Sequence, residues 1–196
     1  GYDFHFGSGA SASAEDLKCF AKEYGCEVTV IPAQKNSDGE AISSTGIRLL
    51  LEAGKIKEAN ALLGHCYQID FEVESGRHLG SKLGFPTINQ AYRCGYAVPK
   101  FGVYAAAALI KGQYYPAVAN VGVKPTVGGV KNPLAETYIM GIDSDLYGKH
   151  INVSFLEFLR PEKKFDSIEE LKNQIEINSR QAKEIFDRSD FCKVDK

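Results

Sequence analysis

The sequence predicts a mainly β fold with an α/β segment in front of it and one helix behind it. From Tyr67 onward, short stretches that alternate apolar and polar residues recur between turn-rich segments. This pattern is typical of an antiparallel barrel or sandwich. Before residue 61 the chain instead alternates helix-like and strand-like stretches, as in doubly wound sheets.

Composition favours a water-soluble globular protein over a nucleic-acid or membrane protein. The 196 residues are 44% hydrophobic and 24% charged, with a formal net charge of −2. A nucleic-acid binder usually carries a basic patch or a high pI, and no apolar run here approaches the ~20 residues of a membrane span. The five cysteines are scattered and include no C-x-x-C pair, which favours reduced thiols. We therefore expect a cytoplasmic protein without a nucleic-acid or membrane partner.

Residues 1–60 contain the predicted α/β segment. Ser13 and Asp16 predict the capped start of a first helix. The apolar and β-branched run CEVTVIP, residues 26–32, predicts a short strand. Two short helices, separated at Gly54, are predicted to complete the segment.

The later part of the chain contains five clear strand candidates and a closing helix. Ser167 and Glu170 predict a capping box at the start of that helix. The strand candidates are residues 67–74, 101–110, 113–121, 135–142 and 150–159.

A glycine-rich run precedes the stretch LGFPTINQ. In a strand, Thr87 and Asn89 would point to the same face and present two neutral oxygens side by side. The glycines upstream, beginning at Gly76, would let backbone N–H groups approach an anion, and Lys82 would add positive charge. The stretch could thus hold a phosphate-bound cation, or it could simply close a turn.

Glu136 is the carboxylate that the strand pattern singles out. In a strand it shares a face with Leu134 and Tyr138, so it would have apolar and aromatic neighbours. A carboxylate in such surroundings can serve as a general base. The alternative is an edge-strand carboxylate that faces water.

The segment FLRPEKKF connects the last strand candidate to the closing helix. It combines Arg160, Lys163 and Phe165. Such a loop can stack on a flat ring while it holds an anion, or it can be a solvated connection.

The motifs PTIN, ETYI, DLYG and RPEKKF follow one another in this order, and with them the sequence resembles the riboflavin kinase family. More specifically, it resembles the C-terminal part of the bacterial bifunctional riboflavin kinase/FMN adenylyltransferases. The resemblance implies that residues 61–196 form a small six-stranded antiparallel Greek-key barrel with a C-terminal helix. It also implies that residues 1–60 are a C-terminal fragment of the Rossmann-like adenylyltransferase domain.

The resemblance implies ATP- and Mg²⁺-dependent phosphorylation of the ribityl 5′-hydroxyl of riboflavin, which gives FMN. Thr87 and Asn89 would bind Mg²⁺ and the phosphates of ATP, and Glu136 would be the catalytic base. Family members more often read PTAN, so Ile88 is a departure, at a position that points away from the metal.

The other implied binding residues fall on two sides of the site. The flavin side would use Arg160, Lys163 and Phe165, and the nucleotide side would use Ile139 and Tyr147. The phosphate-binding loop would add Gly76 and Lys82.

The first part of the chain matches only part of an adenylyltransferase site. SSTGIR, residues 43–48, resembles the second triphosphate-contacting motif of that family, but no H-x-G-H motif is present. We therefore expect FMN adenylyltransferase activity only in a longer parent protein that supplies the remainder of the domain. The alternative to a kinase is a catalytically silent module that binds flavin or nucleotide and acts as a regulator.

Overall fold

The structure, a computed structural model, describes residues 1–76, 80, 83–123, 132–142 and 144–189. The chain divides into two compact units, Gly1–Ser44 and Thr45–Lys196. The domain boundary predicted between residues 60 and 61 rests on the change in sequence pattern and on resemblance to a family, and not on compactness, so it stays a prediction.

The first unit contains one helix and one pair of short strands. Strands β1 (His5–Phe6) and β2 (Ala12–Ser13) pair antiparallel, and helix α1 (Ala14–Glu23) follows directly. The Ser13 hydroxyl accepts a hydrogen bond from the Asp16 backbone N–H, while the Asp16 carboxylate accepts one from the Ser13 N–H at 2.7 Å. This reciprocal pair confirms the predicted capped helix.

The strand predicted over residues 26–32 is wrong. This segment has no regular strand in the first unit, all of which is described, and Ile31 is exposed. The Tyr2 backbone N–H donates to the Ile31 carbonyl at 3.0 Å, but one such bond is not a ladder. Because a strand is stabilised by its partners, β-branched residues without a continuous partner do not form one.

The second unit is built on one sheet of six antiparallel strands in the described residues. The strands are β3 (Gln68–Glu72), β4 (Thr87–Ala91), β5 (Gly102–Ile110), β6 (Gln113–Val123), β7 (Pro133–Ile139) and β8 (His150–Arg160). Their order is β3-β8-β5-β6-β7-β4. The meander β5-β6-β7 with β8 returning beside β5 is a Greek key. This confirms the predicted six-stranded antiparallel fold.

The two end strands of the sheet approach each other and nearly close it into a barrel. The Glu74 backbone N–H donates to the Asn89 carbonyl at 2.8 Å. The fully buried Gln90 side chain donates from Nε2 to the carbonyls of Phe71 at 2.7 Å and Ile151 at 2.8 Å. Gln90 therefore ties β4 to both β3 and β8.

Alternate residues of the strands fill the barrel interior. Large side chains such as Phe71, Tyr104 and Phe155 are fully buried there, beside small residues on neighbouring strands. The small residues include Ala106, Ala108, Ala117, Ala119 and Ala135. Because successive strand residues point to opposite faces, the residues between these core positions lie on the outer face of the barrel.

Three helices accompany the barrel: α2 (Ser44–Ala53), α3 (Ile56–Leu63) and α4 (Ile168–Arg188). Gly54, at φ 78°, separates the first two, as predicted. Helix α4 packs on the outer face of β5, β6 and β8, where Ala182 is fully buried. None of the helices in the described part of the chain is both long and apolar enough to cross a membrane.

The capping box predicted for α4 is only half present. The Ser167 hydroxyl accepts a hydrogen bond from the Glu170 backbone N–H at 3.0 Å. The Glu170 carboxylate does not return the bond; it accepts from Lys163 Nζ at 2.8 Å and from the Asp166 N–H at 3.3 Å. The hydrogen bond from Lys163 holds the pKa of Glu170 below its ordinary value. The Glu170 carboxylate therefore binds Lys163 instead of the Ser167 backbone N–H that a capping box requires.

Candidate active site

The pairing of β4 with β7 brings the three central predicted residues together. Thr87 lies opposite Tyr138, and Asn89 lies opposite Glu136. Asn89 is buried and Glu136 is half-buried. Strand β7 lies between β4 and β6, so Glu136 is on an interior strand. This excludes the edge-strand alternative for Glu136.

Asn120 on β6 extends this row of polar side chains. It pairs with Glu136 on the side opposite Asn89. Sequence reasoning missed Asn120. Its only local signal is a polar residue on the same face as Val118, and its link to Glu136 depends on a pairing between distant segments.

Two glycines pack directly against the neutral oxygens of β4. A Cβ atom on Gly76 would overlap the side-chain amide of Asn89. A Cβ atom on Gly80 would overlap the Phe85 carbonyl and lie 3.4 Å from Thr87 Oγ1. Both positions therefore require glycine, because the backbone approaches these groups too closely for a side chain. Lys82, which the sequence assigned to this loop, lies outside the described residues.

A large cleft of about 390 Å³ opens between the outer face of the barrel and helix α4. Six of the predicted residues line it. They are Thr87, Asn89, Glu136, Arg160, Lys163 and Phe165. Three polar residues outside the predicted set also line it: Asn120, Glu162 and Asn178.

The loop after β8 places two cations over one aromatic ring at this cleft. The Arg160 guanidinium lies 5.5 Å and the Lys163 ammonium 5.4 Å from the centroid of the Phe165 ring. Such cation–π contacts hold a ring and its charged neighbours together. Partial burial lowers the pKa of Arg160, although a guanidinium stays charged in proteins. The loop thus combines a flat apolar surface with positive charge.

A small cleft of about 260 Å³ lies on the other side of Thr87. Ile139 and Tyr147, the two residues predicted for the nucleotide side, both line it. Tyr147 is 45% exposed, and its backbone N–H donates to Asp145 Oδ1 at 3.0 Å. The bond fixes the turn that presents the tyrosine to the cleft.

Thr87 lines both clefts. Of the described lining residues it is the only one that the large and the small cleft share. A ligand in each cleft would therefore meet the other at Thr87, next to Asn89 and Glu136.

The side chains at this meeting point suit a magnesium ion. Mg²⁺ prefers oxygen ligands, keeps several waters and is usually held by one or two protein groups together with substrate phosphates. Thr87 and Asn89 offer two neutral oxygens on one strand face. The residues present fit the ion.

The fold and the clefts together define a class: a small Greek-key barrel with two clefts that share Thr87, beside a half-buried carboxylate. The chain belongs to the riboflavin kinase family, because the family model described as Flavokinase, riboflavin kinase, matches residues 63–186. This confirms the family that the motifs predicted.

Curated relatives named bifunctional riboflavin kinase/FMN adenylyltransferase match nearly the whole chain. The Escherichia coli K12 protein is 38% identical over 187 residues, which is 95% of this chain and 59% of the relative. The Bacillus subtilis protein is 33% identical over 189 residues, with the same two coverages of 95% and 59%. The chain thus spans 59% of the length of these relatives.

A solved structure shares the fold. The crystal structure of a protein named macrolide-efflux protein, from Streptococcus pneumoniae, matches with a TM-score of 0.78 at 33% identity. The match covers 93% of this chain and 58% of that one. The efflux in that name belongs to that protein, since a fold does not carry a function without its site.

Proposed function

We propose that this chain is a riboflavin kinase that transfers the γ-phosphoryl group of ATP to the ribityl 5′-hydroxyl of riboflavin. The products are FMN and ADP. The observation that carries the proposal is the position of Thr87, shared by two clefts, with Glu136 close by. Family membership and the names of the curated relatives support the two substrates.

Riboflavin is assigned to the large cleft and ATP to the small one. The large cleft offers the Phe165 ring and the Arg160 guanidinium, which suit a flat heteroaromatic ring. The small cleft offers Ile139 and Tyr147, which suit a purine base. The ribityl hydroxyl and the γ-phosphate would then meet at Thr87.

Glu136 acts as the general base. It accepts the proton of the 5′-hydroxyl as that oxygen attacks phosphorus, a role that requires a carboxylate within hydrogen-bond reach of the hydroxyl. Asn89 and Asn120 flank it on the neighbouring strands. Directly opposed residues on one sheet face have Cβ atoms about 4.5–5.5 Å apart, so both amides can orient the carboxylate.

Thr87 and Asn89 would hold Mg²⁺ together with the phosphates of ATP. When bound, the ion neutralises the charge of the phosphates during transfer. Two neutral protein ligands suit this task because they bring no negative charge to the triphosphate. The protein's remaining work is to position the hydroxyl and to exclude water.

The alternative, a silent flavin- or nucleotide-binding module, is less well supported. A module that only binds has no need for a half-buried carboxylate where its two ligands meet. Adenylation of FMN is assigned to a longer parent protein, of which residues 1–60 would be a domain fragment and residues 61–196 the kinase domain.

Product analysis tests the proposal. The chain is incubated with riboflavin, ATP and Mg²⁺, and the flavins are separated by chromatography. FMN is the expected product. Riboflavin that stays unchanged while it binds would favour the silent module, and FAD would contradict the assignment of adenylation to a longer protein.

A further inference from the structure

Helix α4 carries one buried polar side chain in its described residues, Asn178. It is 2% exposed and lies at the base of the large cleft. A buried amide is unfavourable unless its polar atoms form hydrogen bonds. Its partners therefore show what the residue does.

Asn178 forms a hydrogen bond with Arg160, the last residue of β8. Its Oδ1 accepts a hydrogen bond from Arg160 Nε at 3.0 Å, and its Nδ2 donates to Gln181 Oε1 at 3.2 Å. Arg160 Nη1 also donates to the Pro161 carbonyl at 3.1 Å. A guanidinium has five N–H donors in a rigid plane. These two bonds fix that plane and leave the Nη2 group for other contacts.

The fixed plane determines where the guanidinium acts. Arg160 lies over the Phe165 ring, and both line the large cleft. If the plane turned, the stacking on Phe165 and the direction of Nη2 would change together. Asn178 is the contact from α4 that holds this orientation.

We propose that Asn178 is a positioning residue for flavin binding. It holds the Arg160 guanidinium so that Phe165 and the remaining N–H donors face the flavin ring, whose edge carries carbonyl acceptors. This inference rests on the proposed function, since it takes riboflavin as the occupant of the large cleft.

The packing of α4 does not by itself require an amide at this position. Ala182, one turn further on, is fully buried against the barrel, and Ile185 and Phe186 pack beside it. An apolar side chain of similar volume could fill the place of Asn178. The polar group therefore points to the bond with Arg160 and not to helix docking.

The test compares Asn178→Leu with Asn178→Asp in the full 196-residue chain. Leucine keeps the branching at Cγ but removes the acceptor, so the KM for riboflavin should rise about tenfold while the KM for ATP stays constant. Aspartate keeps an acceptor for Nε and should restore the KM to within about threefold of the wild type. Gln181→Ala is the matched control, because it removes the other partner of the amide and leaves the bond to Arg160.

A double-mutant comparison with Arg160 shows whether Asn178→Leu acts through the position of Arg160 or by destabilising the protein in general. In an Arg160→Lys background, which lacks Nε, Asn178→Leu should raise the KM no further. An unchanged KM in folded Asn178→Leu, an equal rise in the lysine background, or no recovery with aspartate would each overturn the proposal. Should Asn178→Leu not fold, Asn178→Ala, which also removes the acceptor, is read in the same way.

A fluorescence titration with riboflavin keeps the two proposals distinguishable. A wild-type chain that binds riboflavin but forms no FMN would contradict the kinase activity. The affinities of the same variants would still test Asn178. A wild-type chain that forms FMN, with unchanged affinity in folded Asn178→Leu, would contradict the role of Asn178 alone.

Discussion

Glu136 lies between two side-chain amides, Asn89 and Asn120, on the outer face of the barrel. Amide donors can hydrogen-bond a carboxylate and hold it in one orientation without adding a charge. A general base must lie within hydrogen-bond reach of the proton that it accepts. The row therefore suits the task proposed for Glu136.

Replacing Glu136 by glutamine should lower kcat by about 10²-fold or more, because general-base catalysis contributes about 10²–10⁴-fold. Binding of riboflavin should survive, since glutamine has nearly the same shape. Steady-state kinetics and a flavin titration measure the two effects. Glu157→Gln, on β8 and paired with Lys57 at 2.6 Å, is the control. Turnover near the wild-type rate would make Glu136 an ordinary strand residue.

Thr87→Val and Asn89→Ala should each weaken the use of Mg-ATP far more than the binding of riboflavin. Both substitutions remove an oxygen proposed to meet the ion and the phosphates, so positioning at the transferred group is lost. The measurement is the rate as a function of Mg²⁺ concentration.

Thr137→Val is the matched control for Thr87→Val. Thr137 lies on β7 with its side chain in the barrel interior, and its hydroxyl has no hydrogen-bond partner among the described residues. The substitution should leave the magnesium dependence unchanged. If Thr87→Val and Asn89→Ala behaved like this control, the stretch LGFPTINQ would be only a turn and a strand.

Local sequence was enough to single out Thr87, Asn89 and Glu136 as candidates. The period of two in a strand predicts which residues share a face, and the flanking glycines and apolar residues indicate the environment. Asn120 and Asn178 could not be found in this way. Their importance comes from partners on other elements, Glu136 and Arg160, which only the folded chain brings near.

At the scale of elements, Gln90 determines how the ends of the sheet meet. Its Nε2 bonds to carbonyls on β3 and β8, inside the barrel. Gln90→Leu should lower the free energy of unfolding by about 1–3 kcal/mol, because two buried hydrogen bonds between strands are lost. Urea denaturation measures this. Gln113→Leu, at the exposed end of β6, should change it little, and equal effects would contradict the role of Gln90.

The loop between β8 and α4 should respond to ligands. We expect hydrogen exchange over residues 158–168 to slow when flavin and Mg-ADP bind together, because loops at the ends of elements tolerate ligand-linked movement. Equal exchange in both states would contradict this gating.

Phe165→Ala should raise the KM for riboflavin more than that for ATP, since the lost contact is with the ring. The alternative is that Phe165 only anchors α4. In that case the variant would lose thermal stability and keep both KM values. Phe101→Ala, at an exposed ring outside the large cleft, is the control.

Two elements show where prediction from local pattern stops. Residues 26–32 have the composition of a strand but lack a ladder, because pairing partners are not encoded locally. The capping box of α4 lost its second half because Lys163 and Asp166 bind the Glu170 carboxylate. The first outcome depends on a pairing partner that is absent, and the second on competing contacts that are present.

At the scale of the whole molecule, the interior of the barrel is packed with side chains. Phe71, Tyr104 and Phe155 fill its interior, and the large cleft lies on its outer face. The small cleft is lined in part by core residues, Ile88 and Ile139. The alternation of strand residues builds the packed core and the cleft from the same strands. The sequence pattern alone could not decide between an antiparallel barrel and a sandwich, because the order of the strands depends on long-range pairing. The resemblance to a known family decided between them, and the structure confirms it.

Transfer of label from [γ-³²P]ATP to riboflavin tests the central claim most directly. The account predicts that, in the presence of Mg²⁺, the wild-type chain moves one labelled phosphoryl group to each flavin and that the label is recovered in FMN. Glu136→Gln should bind both substrates and move the label about 10²-fold more slowly. Binding of riboflavin and ATP by the wild-type chain without any labelled FMN would contradict the account and leave a silent binding module.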